Sequence, residues 1–312
     1  MYAVLSVALL YSSSGRGSTL QDRLQQELAS VNLNPAMGAP AVPALSPSLI
    51  SEVGRHTVVF VEGFLNESHQ GMPWDDAKTN FSVNMETLSS DFQTPDFIKI
   101  APPSMQAVSD NADWLIDQLN SVYATHHQHP LLIIAHSKGA AETLLAALRH
   151  PDLLVNGMIE RIVLVQGAIG GSPLAELASE TRFLGLSNWA GLRSLRPAAI
   201  RALFETERER FTQMETPATQ ILVNRHVYYV RSSQRPPEVV RRLVPGNYYL
   251  SRVAGDNDGA IVTADEQLQG IGQDLGVLDA DHADLVAAPA LSNSPDAYKR
   301  AFTRALFRQL FE

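Results

Sequence analysis

The residue of this chain best placed to do chemistry is the serine at the centre of Ala135-His136-Ser137-Lys138-Gly139. It follows an apolar run at residues 131–135 (LLIIA) and precedes a segment rich in helix formers at residues 140–150 (AAETLLAALRH), which Pro151 ends. A strand, a sharp turn and a helix in that order make a nucleophile elbow, which projects a serine hydroxyl from a strained apex. Small residues are needed two before and two after the serine because the backbones crowd there. Ala135 stands where the pattern G-x-S-x-G has Gly, and still meets that steric demand. The plain alternative is a serine that merely caps a helix, and the strand on its other side favours the elbow.

A serine hydroxyl is unreactive without a base, and the base needs an acid to orient it. Of nine histidines, His126, His127 and His129 form a short tract (THHQHP) that reads as a solvated turn, with no carboxylate spaced to complete a metal site. His136 adjoins the serine, but in an elbow its side chain points away. His282, in LDADHADL at residues 278–285, is the candidate base. An acid precedes it in GDNDGAIV at residues 255–262, as Asp256 or Asp258. The order Ser, Asp, His along the chain is one of the known orders for such a triad. The acidic loop also matches parts of a calcium-binding loop. It fails as one because Ala254 offers no ligand at the first position, Asp265 replaces the last Glu, and NYYLSRV (247–253) before it reads as strand.

These residues need a scaffold, and the pattern supplies one. Residues 57–61 (TVVFV), 97–101 (FIKIA), 131–135, 162–166 (IVLVQ) and 227–230 (VYYV) are short apolar, largely β-branched or aromatic runs. Between them, residues 110–124 place Trp114, Leu115, Leu119 and Val122 at helical spacing behind Asp110, a candidate cap. Strands alternating with helices predict an α/β architecture with a mostly parallel central sheet covered on both faces. Residues 176–224 break the alternation. There residues 197–211 (PAAIRALFETERERF) form an amphipathic pattern, read as a helical cap inserted over the site rather than a sheet element.

The folded domain is expected over residues 49–312, after an extension at 1–48. That extension holds a short helix at 21–31 and a linker with Pro35, Pro40, Pro43 and Pro47. Residues 1–10 (MYAVLSVALL) are a candidate leader that lacks the basic flank of a signal peptide. No run reaches the roughly 20 apolar residues that span a bilayer. The absence of cysteine excludes disulfides, thiolate metal sites and a cysteine nucleophile. A net charge of −9 argues against nucleic acid as a partner. The charge is local: residues 253–298 hold nine acids and no Lys or Arg, and the rest of the chain balances. That acidity favours a protonated His282 and marks where a cation would be sought.

Four motifs in order resemble the α/β-hydrolase superfamily, in particular bacterial lipase- and esterase-like members, over roughly residues 57–285. They are VVFVEGF (58–64), IIAHSKGA (133–140), VLVQGAIGGSPLAE (163–176), and DNDGAIV with DHADL. The resemblance implies the α/β-hydrolase fold and a triad of Ser137, Asp258 and His282, the acid being the Asp of N-D-G. It places the oxyanion-binding amides at Phe64 and Lys138 and implies a small-molecule or lipid ester as substrate, with no organic cofactor. Some such lipases hold calcium through an Asp two residues after the histidine, here Asp284. Two departures stand out: Glu62 replaces a usual His, and Gln166-Gly-Ala-Ile lacks the histidine of the third motif. Glu62 beside an oxyanion site needs a cation. The expected partner is Lys138, with Lys138–Glu142 across one helical turn as the alternative. Acyl transfer or thioester hydrolysis would use the same residues, and a non-catalytic binding protein on this fold is the rival from another class.

Overall fold

The computed structural model describes residues 18–32, 44–64, 76, 78–94, 96–104, 106–174, 211 and 216–312. Six strands form one sheet: β1 (Thr57–Val61), β2 (Phe97–Ile100), β3 (Leu131–His136), β4 (Ile159–Val165), β5 (Val227–Ser233) and β6 (Gln273–Asp279). Their order is β2-β1-β3-β4-β5-β6, and all five ladders are parallel. The helices among the described residues are α1 (Leu20–Asn32), α2 (Pro47–Val53), α3 (Ser82–Ser90), α4 (Val108–Thr125), α5 (Lys138–Arg149), α6 (Asp152–Val155), α7 (Pro217–His226), α8 (Val244–Val253) and α9 (Asp296–Phe311).

Side chains alternate across a strand, so the continuous apolar runs serve both faces of the sheet. Val59, Val61, Ile133, Ala135, Ile162 and Leu164 pack against α4, α5 and α6. Val58, Phe60, Leu132, Ile134, Val163 and Val165 pack against α1, α2, α3 and α9. Every residue of β1 and β3 is buried, as strands covered on both faces must be. The folded unit reaches further back than Leu49, since Leu20 and Leu24 of α1 are in the core. Glu27 of α1 is buried between two arginines of α9, accepting from Arg304 Nε at 2.6 Å and Arg308 Nε at 2.8 Å.

Helix α4 begins at Val108 with Ala107 at the cap position, so Asp110 lies inside its first turn rather than at the cap. There its charge still meets the positive end of the helix. NYYLSRV is not a strand but the body of α8. Pro245 stands at the start of that helix, where a missing N–H costs nothing, and Leu250 is its buried apolar side chain, packed with Leu174 and Val262. That removes one of three grounds against a calcium loop; Ala254 and Asp265 remain as the others. Most of the amphipathic stretch at 197–211 lies outside the described residues; Phe211 is buried.

The chain leaves β1, goes out to the edge strand β2 and returns over β1 to β3. The strand order thus reverses between β1 and β3, and their carboxyl ends bound the crevice where open α/β sheets hold ligands. The residues next after these ends are Glu62-Gly63-Phe64 and Ser137.

Candidate active site

Ser137 joins β3 to α5 with φ 56° and ψ −124°, a conformation costly for any residue with a side chain. It is held there at both ends. Its N–H donates to Val165 O at 3.1 Å, and its carbonyl accepts from Ala140 N and Ala168 N. The crowding expected around an elbow is visible at two glycines. A Cβ on Gly63 would lie 2.8 Å from Ser137 Cβ, and one on Gly139 would lie 2.4 Å from the Glu62 carbonyl oxygen. Ala135, in contrast, sits in the middle of the sheet between Val61 and Leu164, where its methyl is simply buried.

His282 follows β6 in a loop whose backbone docks on the acid loop, His282 N–H donating to Asp258 O at 2.9 Å. Its Nε2 is 2.9 Å from Ser137 Oγ and its Nδ1 is 2.6 Å from Asp258 Oδ2. The structure separates the two acid candidates. Asp256 is exposed, whereas Asp258 is fully buried, with Oδ1 accepting from Ala260 N at 2.9 Å and Ile261 N at 2.7 Å. Two amides on one oxygen and an imidazole on the other fix the carboxylate in a single orientation. The Nδ1 contact puts that proton toward Asp258 and leaves Nε2 facing the serine hydroxyl.

Lys138 is the first residue of α5, so its backbone N–H has no acceptor within the helix. Phe64 follows Gly63, which abuts Ser137. The expected pairing of Glu62 with Lys138 is not formed. Lys138 Nζ instead meets Glu142 Oε1 at 2.7 Å, the (i, i+4) alternative, and also donates to Gln106 O at 2.7 Å and Ser104 O at 3.3 Å. The acceptors on its own helix and on the loop after β2 thus hold the Lys138 ammonium away from Glu62. Glu62 is buried with Lys99 of β2, its Oε1 3.6 Å from Lys99 Nζ. Asn111 Nδ2 adds a 2.6 Å hydrogen bond to Glu142. Burial raises the Glu142 pKa, against the opposing pull of Lys138 and Asn111.

Asp284, the calcium candidate, is buried with both oxygens engaged. One accepts Asp281 N–H at 3.0 Å and the other Ser292 Oγ–H at 3.0 Å. Among the described residues no three His, Cys, Asp or Glu side chains converge to hold a metal ion. The histidine tract lies before β3, at the amino ends of the strands, away from Ser137. Asp96, far in sequence, supplies the carboxylate missing from the tract, 2.5 Å from His126 Nδ1 and 3.2 Å from His129 Nδ1.

Two residues around the site were not read from the sequence as part of it. His136 is buried, with Nε2 3.1 Å from the carbonyl of His282 and its ring 4.7 Å from the His282 ring. Burial, and then the charge on His282, hold its pKa well below the usual histidine value. It is therefore a neutral neighbour rather than a competing base. Glu266 is fully buried and accepts Ser232 N–H at 2.9 Å. Burial and then the Asp258 carboxylate push it well above the usual carboxylate range. Neither role is legible without the fold, because each depends on a strand or loop more than 30 residues away.

No protein-family model matches the chain, and no curated protein matches it. Solved structures do. A metagenomic carboxyl esterase superposes with a TM-score of 0.61 at 22% identity, over 88% of this chain and 79% of that one. The mature form of a lipase from Bacillus licheniformis superposes with a TM-score of 0.62 at 18% identity, over 87% of this chain and 96% of that one. This is the α/β-hydrolase fold. Identities this low speak for the fold alone. On the α/β-hydrolase sheet seen here, a strained serine after β3, an acid after β5 and a histidine after β6 meet at the carboxyl end. Among the described residues no helix is long and apolar enough to cross a membrane.

Proposed function

We propose that the chain is a serine hydrolase that cleaves carboxylic esters through an acyl-enzyme at Ser137. The observation that carries this reading is the hydrogen-bonded line from Ser137 Oγ through His282 to a buried Asp258. His282 Nε2 takes the serine proton as Oγ attacks the ester carbonyl. The carbonyl oxygen becomes an anion, stabilised by the backbone N–H groups of Phe64 and Lys138. Asp258 stays ionised, holds the Nδ1–H tautomer and stabilises the imidazolium. That imidazolium then protonates the leaving alcohol, and water, deprotonated by the same nitrogen, releases the acid and restores Ser137.

The reading is supported by the crystal structures of an esterase and a lipase with the same fold. Its test is covalent labelling with a fluorophosphonate, a phosphorus electrophile that activated serines attack. Wild type is expected to label and Ser137→Ala to lose labelling. A folded wild-type protein that takes no label refutes the reading and leaves a binding protein on a hydrolase fold. Turnover of p-nitrophenyl esters and triglycerides, set against acyl-thioesters, assigns the substrate class.

A further inference from the structure

Gln166 follows β4 with φ 50°, in the left-handed region, and is fully buried. A glycine would adopt this conformation without strain, so the side chain must repay its presence. Its terminal NH2 has two hydrogens, and both are used: one on Ser232 Oγ at 2.7 Å, the other on the carbonyl of Asp281 at 2.7 Å. The backbone N–H is spent on Val230 O at 2.8 Å. Ser232 Oγ, having accepted from Gln166, turns its own hydrogen toward Asp258 Oδ2 at 3.5 Å. Asp281 immediately precedes His282.

We infer that Gln166 is a positioning residue for the acid–histidine pair. One arm reaches Asp258 through Ser232, and the other pins the loop that carries His282. His136 makes the matching contact from the end of β3, to the next carbonyl of the same loop. The two central strands therefore each hold one peptide group of the histidine loop by a side chain at their carboxyl ends. Gln166 touches no reacting atom and works only through the geometry of others. This inference rests on the serine-hydrolase reading.

The test uses the full chain with Gln166→Gly, which takes the same backbone without strain, and Gln166→Glu, whose carboxylate cannot donate. Both are expected to lower kcat and the fluorophosphonate labelling rate about ten-fold or more with KM nearly unchanged, the signature of a misplaced catalytic pair. The low-field proton resonance of His282 Nδ1–H, expected in wild type from the 2.6 Å contact with Asp258, should weaken or vanish. Ser232→Ala is expected to give a smaller loss that adds little to Gln166→Gly. Folded variants with wild-type kcat, labelling rate and low-field resonance overturn the inference. Should Gln166→Glu fail to fold, Gln166→Gly and Ser232→Ala decide it by the same readings. A wild type that takes no label refutes the hydrolase reading instead; the resonance then still reports whether Gln166 holds the pair.

Discussion

Gly139 offers a direct test of how the elbow and the proposed oxyanion loop depend on each other. Replacing it with Ala would put a methyl carbon 2.4 Å from the carbonyl oxygen of Glu62 and 3.2 Å from Val61 Cγ1, where ordinary contact begins at 3.4 Å. The two backbones must therefore part by about 1 Å, a displacement of the size that costs an enzyme about 100-fold when it falls on the reacting groups. Neither side yields easily. Gly139 belongs to the first turn of α5, and Glu62 N–H is tied to Ile100 O at 2.9 Å. The movement falls on residues 62–64, which carry the proposed oxyanion amide. Overpacking of this kind costs about 1–3 kcal/mol, too little to unfold a protein of ordinary stability. Gly139→Ala is thus expected to remain folded and to lose about 100-fold in kcat/KM for a p-nitrophenyl ester, with labelling by the fluorophosphonate slowed in proportion. Gly157→Ala is the control. It forces a side chain onto φ +79° with nothing within 4 Å, so it should lower stability by about 1–2 kcal/mol and leave turnover alone. Wild-type turnover in Gly139→Ala would refute the claim that this close approach sets the proposed oxyanion loop.

Further outcomes follow from the buried charges. Lys138→Met should destabilise by about 3–5 kcal/mol because it strands the Glu142 carboxyl, and the double variant with Glu142→Leu should recover most of that in chemical denaturation. Burial, and then the neighbouring Asp284, raise Asp281 to about 6, above its unfolded value of 3.8. The folded state holds that proton longer, so the contribution is present in full below pH 3.8 and is lost as pH rises through about 6. Melting temperatures measured across this window should fall more for wild type than for Asp281→Asn. Asp258→Asn should reduce kcat by up to about 10⁴-fold through the wrong histidine tautomer, with the fold and thermal stability as the accompanying check.

How much was legible in the sequence follows from burial. β1, β3 and β4 are covered on both faces, so their runs of Val, Ile and Leu advertise themselves. β6 is an edge strand, mostly exposed, with Gly276 at φ 110° and an acid at each end of LGVL's neighbourhood, and no apolar run marks it. The tyrosines of NYYLSRV mimic a strand because aromatic residues favour sheets, while the start signal for α8 is the proline two residues before that segment. Ser137 and His282 were readable from local context. Of the two acids in the loop, spacing left both open, the family resemblance pointed to Asp258, and burial sets it apart from the exposed Asp256. The partner of Glu62 was not readable, because Lys99 comes from a neighbouring strand and nothing local points to it. The same holds for Gln166, whose hydrogen bonds reach 66 and 115 residues along the chain.

The contact between Ser137 and His282 closes a span of 145 residues, in a sheet whose ladders are all parallel. Parallel pairing cannot start from a hairpin, and contacts so distant in sequence form slowly. With Ser137 as nucleophile, reactivity becomes a late acquisition in folding. A chain with its central strands paired but its histidine loop undocked holds a serine no more reactive than any other. The labelled fraction of a refolding sample would then count the molecules in which that loop has docked, not those in which the sheet alone has formed.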